Sequence, residues 1–425
     1  MATPSVSLVE ELKRRVDASR EEIIQFMRDI CAIPSMNGEL KEVGERIGAE
    51  MTRLGFEEVR FDKMGNILGR IGPSAPSRAQ AGSRASKRVI VYDSHIDTVG
   101  IGDRSAWDWD PFEGKVEDGI LYARGACDEK GSTPGMVHGL AMARDLGFLE
   151  DTTAYYFGNM EEWCDGIAPN AFVEVDPGIR PDFVVIGEPT KMQVYRAHKG
   201  RIELKITASG KSAHAASHYL GDNAVYKMMS IITQIRELDR RFRLGLGSHP
   251  VQGRPSVAVT DVKVRTASLN AVPDQFTIFL DRRITSNEPH DDVIAQIEGL
   301  IPDYLQPEIK VEELFYEEPS YTGFVFPVPK YYPAWLLSDK HPITKAGQQT
   351  IKTLWGKSRK LGAWDFSTNG TYWAGKAGIP SIGFGPGDEK FAHTILEQVP
   401  LNEVVDATEF YALFPQMLAE KLKTK

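Results

Sequence analysis

Cysteine is scarce. Cys31, Cys127 and Cys164 are the only three in 425 residues, an odd number with no C-x-x-C spacing. That excludes a disulfide framework and a cysteine-rich structural zinc site, and it makes a reducing cytoplasm the expected setting. Long apolar runs are lacking as well, so no bilayer span is expected, and the N-terminal stretch is charged throughout, unlike a signal peptide. Nor is there an excess of positive charge. The net charge is −9 with acids and bases interspersed, which argues against nucleic acid or an anionic membrane as partner. What remains is the composition of an ordinary globular protein, 42% hydrophobic and 26% charged, at a length that calls for more than one compact unit.

The first part of the chain reads as α/β. A helix runs to about Ile30, and a second covers 41–56 by the spacing of Val43, Ile47, Met51 and Leu54. Residues 59–71 read as strand, and "PSAPSRAQAGSRASK" at 73–87 as a solvated connector. From 196 to 315 the order becomes strand, helix, two strands, helix, strand, the βαββαβ order of a ferredoxin-like antiparallel sheet. Signals of α/β type resume afterwards. The expectation is a catalytic unit in two parts, 1–195 and 316–425, with an α+β unit inserted at 196–315.

Within the first unit, "VIVYDSHIDTVG" (89–100) begins as a buried strand and ends on His95 and Asp97. Taken alone, that ending is a polar turn. Three more strand ends repeat it: 153–157 leads to Glu161 and Glu162, 183–186 to Glu188, and 379–383 to His393. Asp128 comes just before a predicted helix at 132–145. Open α/β sheets bind ligands beyond the carboxyl ends of their strands, so four such ends bearing His, Asp or Glu point to one site. Two imidazoles and three carboxylates without a thiolate suit zinc, cobalt or manganese. Five donors also suit two ions that share a bridging carboxylate and leave positions open for water. Asp97, two residues past His95, is placed to orient that imidazole. Glu161, left over beside a ligand, fits a general base. Spacing does not tell which donors pair around which ion.

The ordered set His-x-Asp, "WDPFEGKVEDGILYARGACDEKG", Glu-Glu, Gly-Glu-Pro, and "GPG" before Ala-His-Thr resembles the metallopeptidase family of acetylornithine deacetylase, succinyl-diaminopimelate desuccinylase and the aminoacylases. The likeness runs from about residue 20 onward and is strongest to the branch of selenium-metabolism-linked hydrolases. It implies a zinc-peptidase-like catalytic domain, with the inserted ferredoxin-like unit as lid and dimerisation domain. It also implies two divalent ions, zinc with cobalt or manganese as alternatives. Asp128 matches the family's bridging ligand; His95 and Glu188 match the ligands of one ion, Glu162 and His393 those of the other. Glu161 matches the base and Asp97 the histidine-orienting acid. In the inserted unit, His214 matches a lid histidine that reaches the substrate across a dimer interface, while Asn270 and Arg283 match binders of the substrate carboxylate. A cis peptide is implied after Asp128. Where the family often has Asp-Met-Lys or Asp-Asp-Lys, this chain has Asp128-Glu129-Lys130, and the added acid could alter metal affinity.

The activity so implied is hydrolysis of a linear amide in an N-acyl amino acid or small peptide, by a homodimer, with an ion-activated water as nucleophile. Two rival readings stand beside it. An N-carbamoyl amino acid amidohydrolase of the same superfamily would commonly carry a histidine where Glu188 stands, and a catalytically silent metal-binding scaffold would be expected to have lost Glu161. Elsewhere, His138 reads as structural, and His198 and His218 lean the same way. Trp107 and Trp109 read as packing for the loop of Asp110. Trp364, Phe366 and Trp373 divide evenly between substrate pocket and core. Cys127 and Cys164 read as small buried fillers.

Overall fold

A computed structural model describes residues 6–36, 38–73, 88–162, 164–176 and 179–423, so the expected connector at 73–87 lies outside it apart from Pro73. Helices α1 (Val6–Ala18) and α2 (Arg20–Ala32) occupy the stretch expected to be a single helix. The break is at Ser19, whose ψ of 4° leaves the helical basin. Glu21 and Glu22 then fall in the first turn of α2, where the helix dipole favours acids. Next comes α3 (Lys41–Arg53), burying Val43, Ile47 and Met51. Residues 59–71 are not one strand but lie in a hairpin of β1 (Glu57–Phe61) and β2 (Ile67–Ile71). Asp62 makes the turn, its carboxylate accepting from the amides of Gly65 and Asn66 at 2.8 and 2.9 Å, and Gly65 supplies a φ of +97°.

Along the chain there follow β3 (Arg88–His95), α4 (Ser132–Asp145), β4 (Thr152–Asn159), α5 (Ile167–Val175), β5 (Phe183–Ile186) and β6 (Tyr195–His198). A second sheet is then built from β7 (Gly200–Ser209), α6 (Ala224–Arg243), β8 (Ser256–Arg265), β9 (Gln275–Ile284), α7 (His290–Glu298) and β10 (Ile309–Glu313). The chain re-enters the first sheet at β11 (Trp335–Leu336) and completes it with α8 (Pro342–Trp355), β12 (Gly362–Trp364), β13 (Ser381–Gly383) and α9 (Leu401–Lys423).

The first sheet runs β1-β2-β4-β3-β5-β13-β6-β11, with β12 also paired to β6. Its centre, β4-β3-β5-β13, is parallel. Every residue of β3 and β4 is buried, as expected of parallel strands covered on both faces. Helix α4 packs on α9, and both are buried along most of their length. The second sheet is wholly antiparallel, in the order β10-β7-β9-β8. Counting its strands in chain order gives 4-1-3-2, the ferredoxin-like arrangement. Burial alternates along β7, where Ile202, Leu204, Ile206 and Ala208 face inward. They meet Met228 and Ile231 of α6 and Val293 and Ile297 of α7 in a core separate from that of the first sheet. The outer strand β8 is mostly exposed. Among the described residues, no helix is long and apolar enough to cross a membrane.

Candidate active site

Because β4, β3, β5 and β13 point the same way, their carboxyl ends meet at one edge of the sheet. His95 is the last residue of β3; Glu161 and Glu162 follow β4, Glu188 follows β5, and His393 follows β13. Asp128 enters from the loop before α4. All six line a cavity of about 330 Å³.

Asp128 sits at the middle of this group. Its Oδ1 is 2.8 Å from His95 Nε2, which lies 3.6 Å from Glu188 Oε1. Its Oδ2 is 3.1 Å from His393 Nε2, which lies 3.2 Å from Glu162 Oε2. One carboxylate therefore faces two His–Glu pairs, one with each oxygen. The backbone beneath it is fixed by Glu397, which accepts from the amides of Cys127 and Asp128 at 3.1 and 3.0 Å and is ion-paired with Arg124. Fully buried Lys130 ties the same loop to the carbonyls of Ile30 and Ile33 at 3.0 and 2.9 Å. The Asp128–Glu129 peptide is cis, as the resemblance implies.

Asp97 has a wider part than expected. His95 Nδ1 donates to its backbone carbonyl at 3.0 Å, with the carboxylate 3.5 Å away. That carboxylate also accepts from the amides of Glu161 and Glu162 at 2.9 and 3.2 Å, clamping the turn that carries both glutamates. With Nδ1–H so engaged, Nε2 is left as the nitrogen facing the cavity.

The site is short of positive charge. Burial raises the pKa of Glu161 and Glu188 well above the ordinary carboxylate range, and nearby carboxylates add to the effect. Burial and the neighbouring Asp128 push Glu162 up to about 7. Hydrogen bonds to Asp128 and Glu162 lift His393 to about 10. Both oxygens of Glu161, and one each of Glu162 and Glu188, are buried with no hydrogen-bond partner. Orphaned anionic oxygens around two imidazoles are what a divalent cation satisfies, so the donor set fits metal.

Of the three residues expected to bind substrate, one is in the cavity. Arg283 lines it, with its guanidinium forked onto Asp281 at 2.8 and 3.1 Å. His214 and Asn270 are exposed neighbours on the second sheet's loops, linked by the Ala215 amide on the Asn270 carbonyl at 2.8 Å, and neither lines the cavity. Sequence reasoning missed the residues beside Arg283, which pairs with Arg201 across β9 and β7. There Arg201 stands 3.7 Å from Asp165, over the ring of Tyr332 at 4.4 Å, and Ser367 bonds to Asp165. The available signals were weak: an Arg just after Gly200, where the chain changes sheets, and a Ser in the loop after β12. Phe366 lines the cavity, whereas Trp364 and Trp373 are fully buried in the core. His198 is buried and hydrogen-bonded, His138 is buried with its Nε2 3.3 Å from Glu50, His218 is exposed, and Cys127 and Cys164 are buried.

A carboxylate shared between two His–Glu pairs at the carboxyl edge of a parallel sheet defines a metal-dependent hydrolase. The chain belongs to peptidase family M20/M25/M40, whose profile it matches over residues 91–416. It is 37% identical over 395 residues to the uncharacterized protein YgeY of Escherichia coli (strain K12), covering 93% of this chain and 94% of that one. It is 26% identical over 424 residues to the succinyl-diaminopimelate desuccinylase of Corynebacterium glutamicum, covering 96% and 99%. Its fold matches the solved structure of the Bacillus subtilis YXEP protein, a dinuclear metal binding peptidase of the M20 family, with a TM-score of 0.68 at 14% identity, covering 95% and 99%. The protein is thus a metallo-hydrolase with the mixed α/β fold of its family.

Proposed function

We propose that this chain hydrolyses the linear amide of an N-acyl amino acid or a small peptide, with two divalent ions at the site and Glu161 as general base. The observation that carries the reading is Asp128, one oxygen toward His95 and Glu188 and the other toward His393 and Glu162, with unpartnered Glu161 in the same cavity. Zinc is the ion expected, with cobalt or manganese as alternatives. When bound, the ions supply Lewis acidity at the scissile carbonyl and lower the pKa of water. A Glu161 oxygen takes the proton of the attacking water and returns it to the departing amine nitrogen. Asp97 holds His95 with Nε2 toward the ions. Arg283 exchanges Asp281 for the substrate carboxylate. Asn270 and His214 reach the substrate from a partner subunit, with the unit at 196–315 as lid and dimerisation domain; their place outside the cavity of their own chain supports this. We place the protein in the cytoplasm, which its three buried, unbridged cysteines support.

The test compares Glu161→Gln with Glu162→Gln, reading metal content by mass spectrometry and turnover on N-acyl amino acids, dipeptides and N-carbamoyl amino acids. Glu161→Gln keeps both ions and loses turnover about 10²–10⁴-fold. Glu162→Gln loses one ion. Equal metal loss in the two variants overturns the assignment of roles.

A further inference from the structure

Glu129 has been given no part so far. Its side chain is 1% exposed, and neither carboxylate oxygen has a hydrogen-bond partner. Leaving such a group unpaired in the interior is costly, so an unpartnered carboxylate calls for a counterpart. One of its oxygens lies within 4.8 Å of both a ring nitrogen of His95 and a carboxylate oxygen of Glu188. These are the two residues that face Asp128 Oδ1. The chain also leaves room for it there: a Cβ at Gly187, just before Glu188, would come within 2.9 Å of Glu129 Oε1. Glu162 groups instead with His95 and Asp128, without Glu129.

We propose that Glu129 is an additional metal-site donor, joining His95, Asp128 and Glu188 around one of the two ions and making that position richer in oxygen than its neighbour. The inference rests on the two-ion reading above. One imidazole and three carboxylates form a harder donor set than one imidazole and two. Zinc binds more tightly than manganese at comparable sites, but added carboxylate favours manganese. Glu129 thereby narrows the preference for zinc at the His95–Glu188 position and leaves the Glu162–His393 position unchanged.

The test uses the full-length protein stripped of metal and titrated separately with Zn²⁺ and Mn²⁺ by calorimetry, comparing wild type, Glu129→Gln and Glu188→Gln. Glu129→Gln is expected to weaken Mn²⁺ at one of two positions by about tenfold or more and Zn²⁺ by less. The melting temperature of its metal-free form stays level or rises, because an unpaired buried acid is gone. With Co²⁺, the visible absorption of the variant intensifies as one donor is lost. Equal losses for Zn²⁺ and Mn²⁺ overturn the selectivity. Unchanged affinities, or a lower metal-free melting temperature with unchanged affinities, overturn the ligand role. Wild type and Glu188→Gln separate the two readings: if wild type binds fewer than two ions, or Glu188→Gln keeps both, the site reading on which this inference rests fails, whereas if wild type binds two, Glu188→Gln loses one and Glu129→Gln loses nothing, only the present inference fails. Should Glu129→Gln not fold, Glu129→Met is read in the same titrations, with the same outcomes deciding.

Discussion

His198 is a histidine that could have served chemistry and serves architecture instead. It is fully buried, its Nδ1 accepts from the Thr368 amide at 2.9 Å, and its Nε2–H donates to the Pro333 carbonyl at 3.1 Å. A proton on Nδ1 would face a donor in a dry interior. Burial accordingly holds the pKa near 3, against 6.5 for the free side chain. Below about pH 6.5 the unfolded chain takes up a proton that the folded chain refuses, so stability from this residue is complete above that pH and declines as the pH falls toward 3. Glutamine can accept and donate in the same places without titrating. Between pH 7 and pH 5, wild type should lose about 2 kcal/mol more than His198→Gln in urea unfolding. Equal losses in both proteins would remove His198 as an acid-sensitive element.

At the scale of elements, α4 carries the consequence of where Asp128 stands, since the helix begins at Ser132 and must stay pressed on α9. Gly139 permits that approach: a Cβ there would lie 2.8 Å from the Thr408 carbonyl oxygen and 3.1 Å from the Ala412 amide, backbone atoms with no rotamer to yield. Gly139→Ala should cost about 1–3 kcal/mol in denaturant unfolding, while Gly100→Ala, which meets nothing within 4 Å, should stay within about 0.5 kcal/mol. Elements of this kind were legible in advance. The helix at 132–145 and the strand at 183–186 match their predicted spans, and the four strand ends do converge, because apolar runs closed by polar residues report both burial and direction. What resisted reading depends on turns and distant encounters. Ser19 and Asp62 interrupt continuous periodicity with local hydrogen bonding or backbone geometry. Arg201, Asp165 and Ser367 become neighbours only through the crossing between sheets, and Glu397 reaches Asp128 from far along the chain.

For the whole molecule, the exposed strand β8 offers an unpaired edge, with Val262 and Val264 about half exposed beside it. A two-fold axis at that edge would carry His214 toward a second copy. Two inactive variants, His214→Ala and Glu161→Ala, mixed under conditions that allow subunit exchange, should regain activity. Random pairing makes half the dimers mixed and completes one site in each, so the recovery should approach roughly a quarter of wild type. Confirmed exchange without recovery would confine His214 to its own subunit, and a monomeric mass by light scattering would dismiss the interface altogether.

The place of β13 also sets a timetable for synthesis. This strand lies between β5 and β6, yet it leaves the ribosome about 180–200 residues after them. At ordinary elongation rates the gap lasts on the order of 10–40 s. Through that interval the nascent sheet has a vacant central slot flanked by apolar edges, a state exposed to mispairing and suited to chaperone binding. His393 emerges later still, after every other member of the donor set around Asp128. On the two-ion proposal, the position held by Glu162 and His393 can fill only after that last donor has been made.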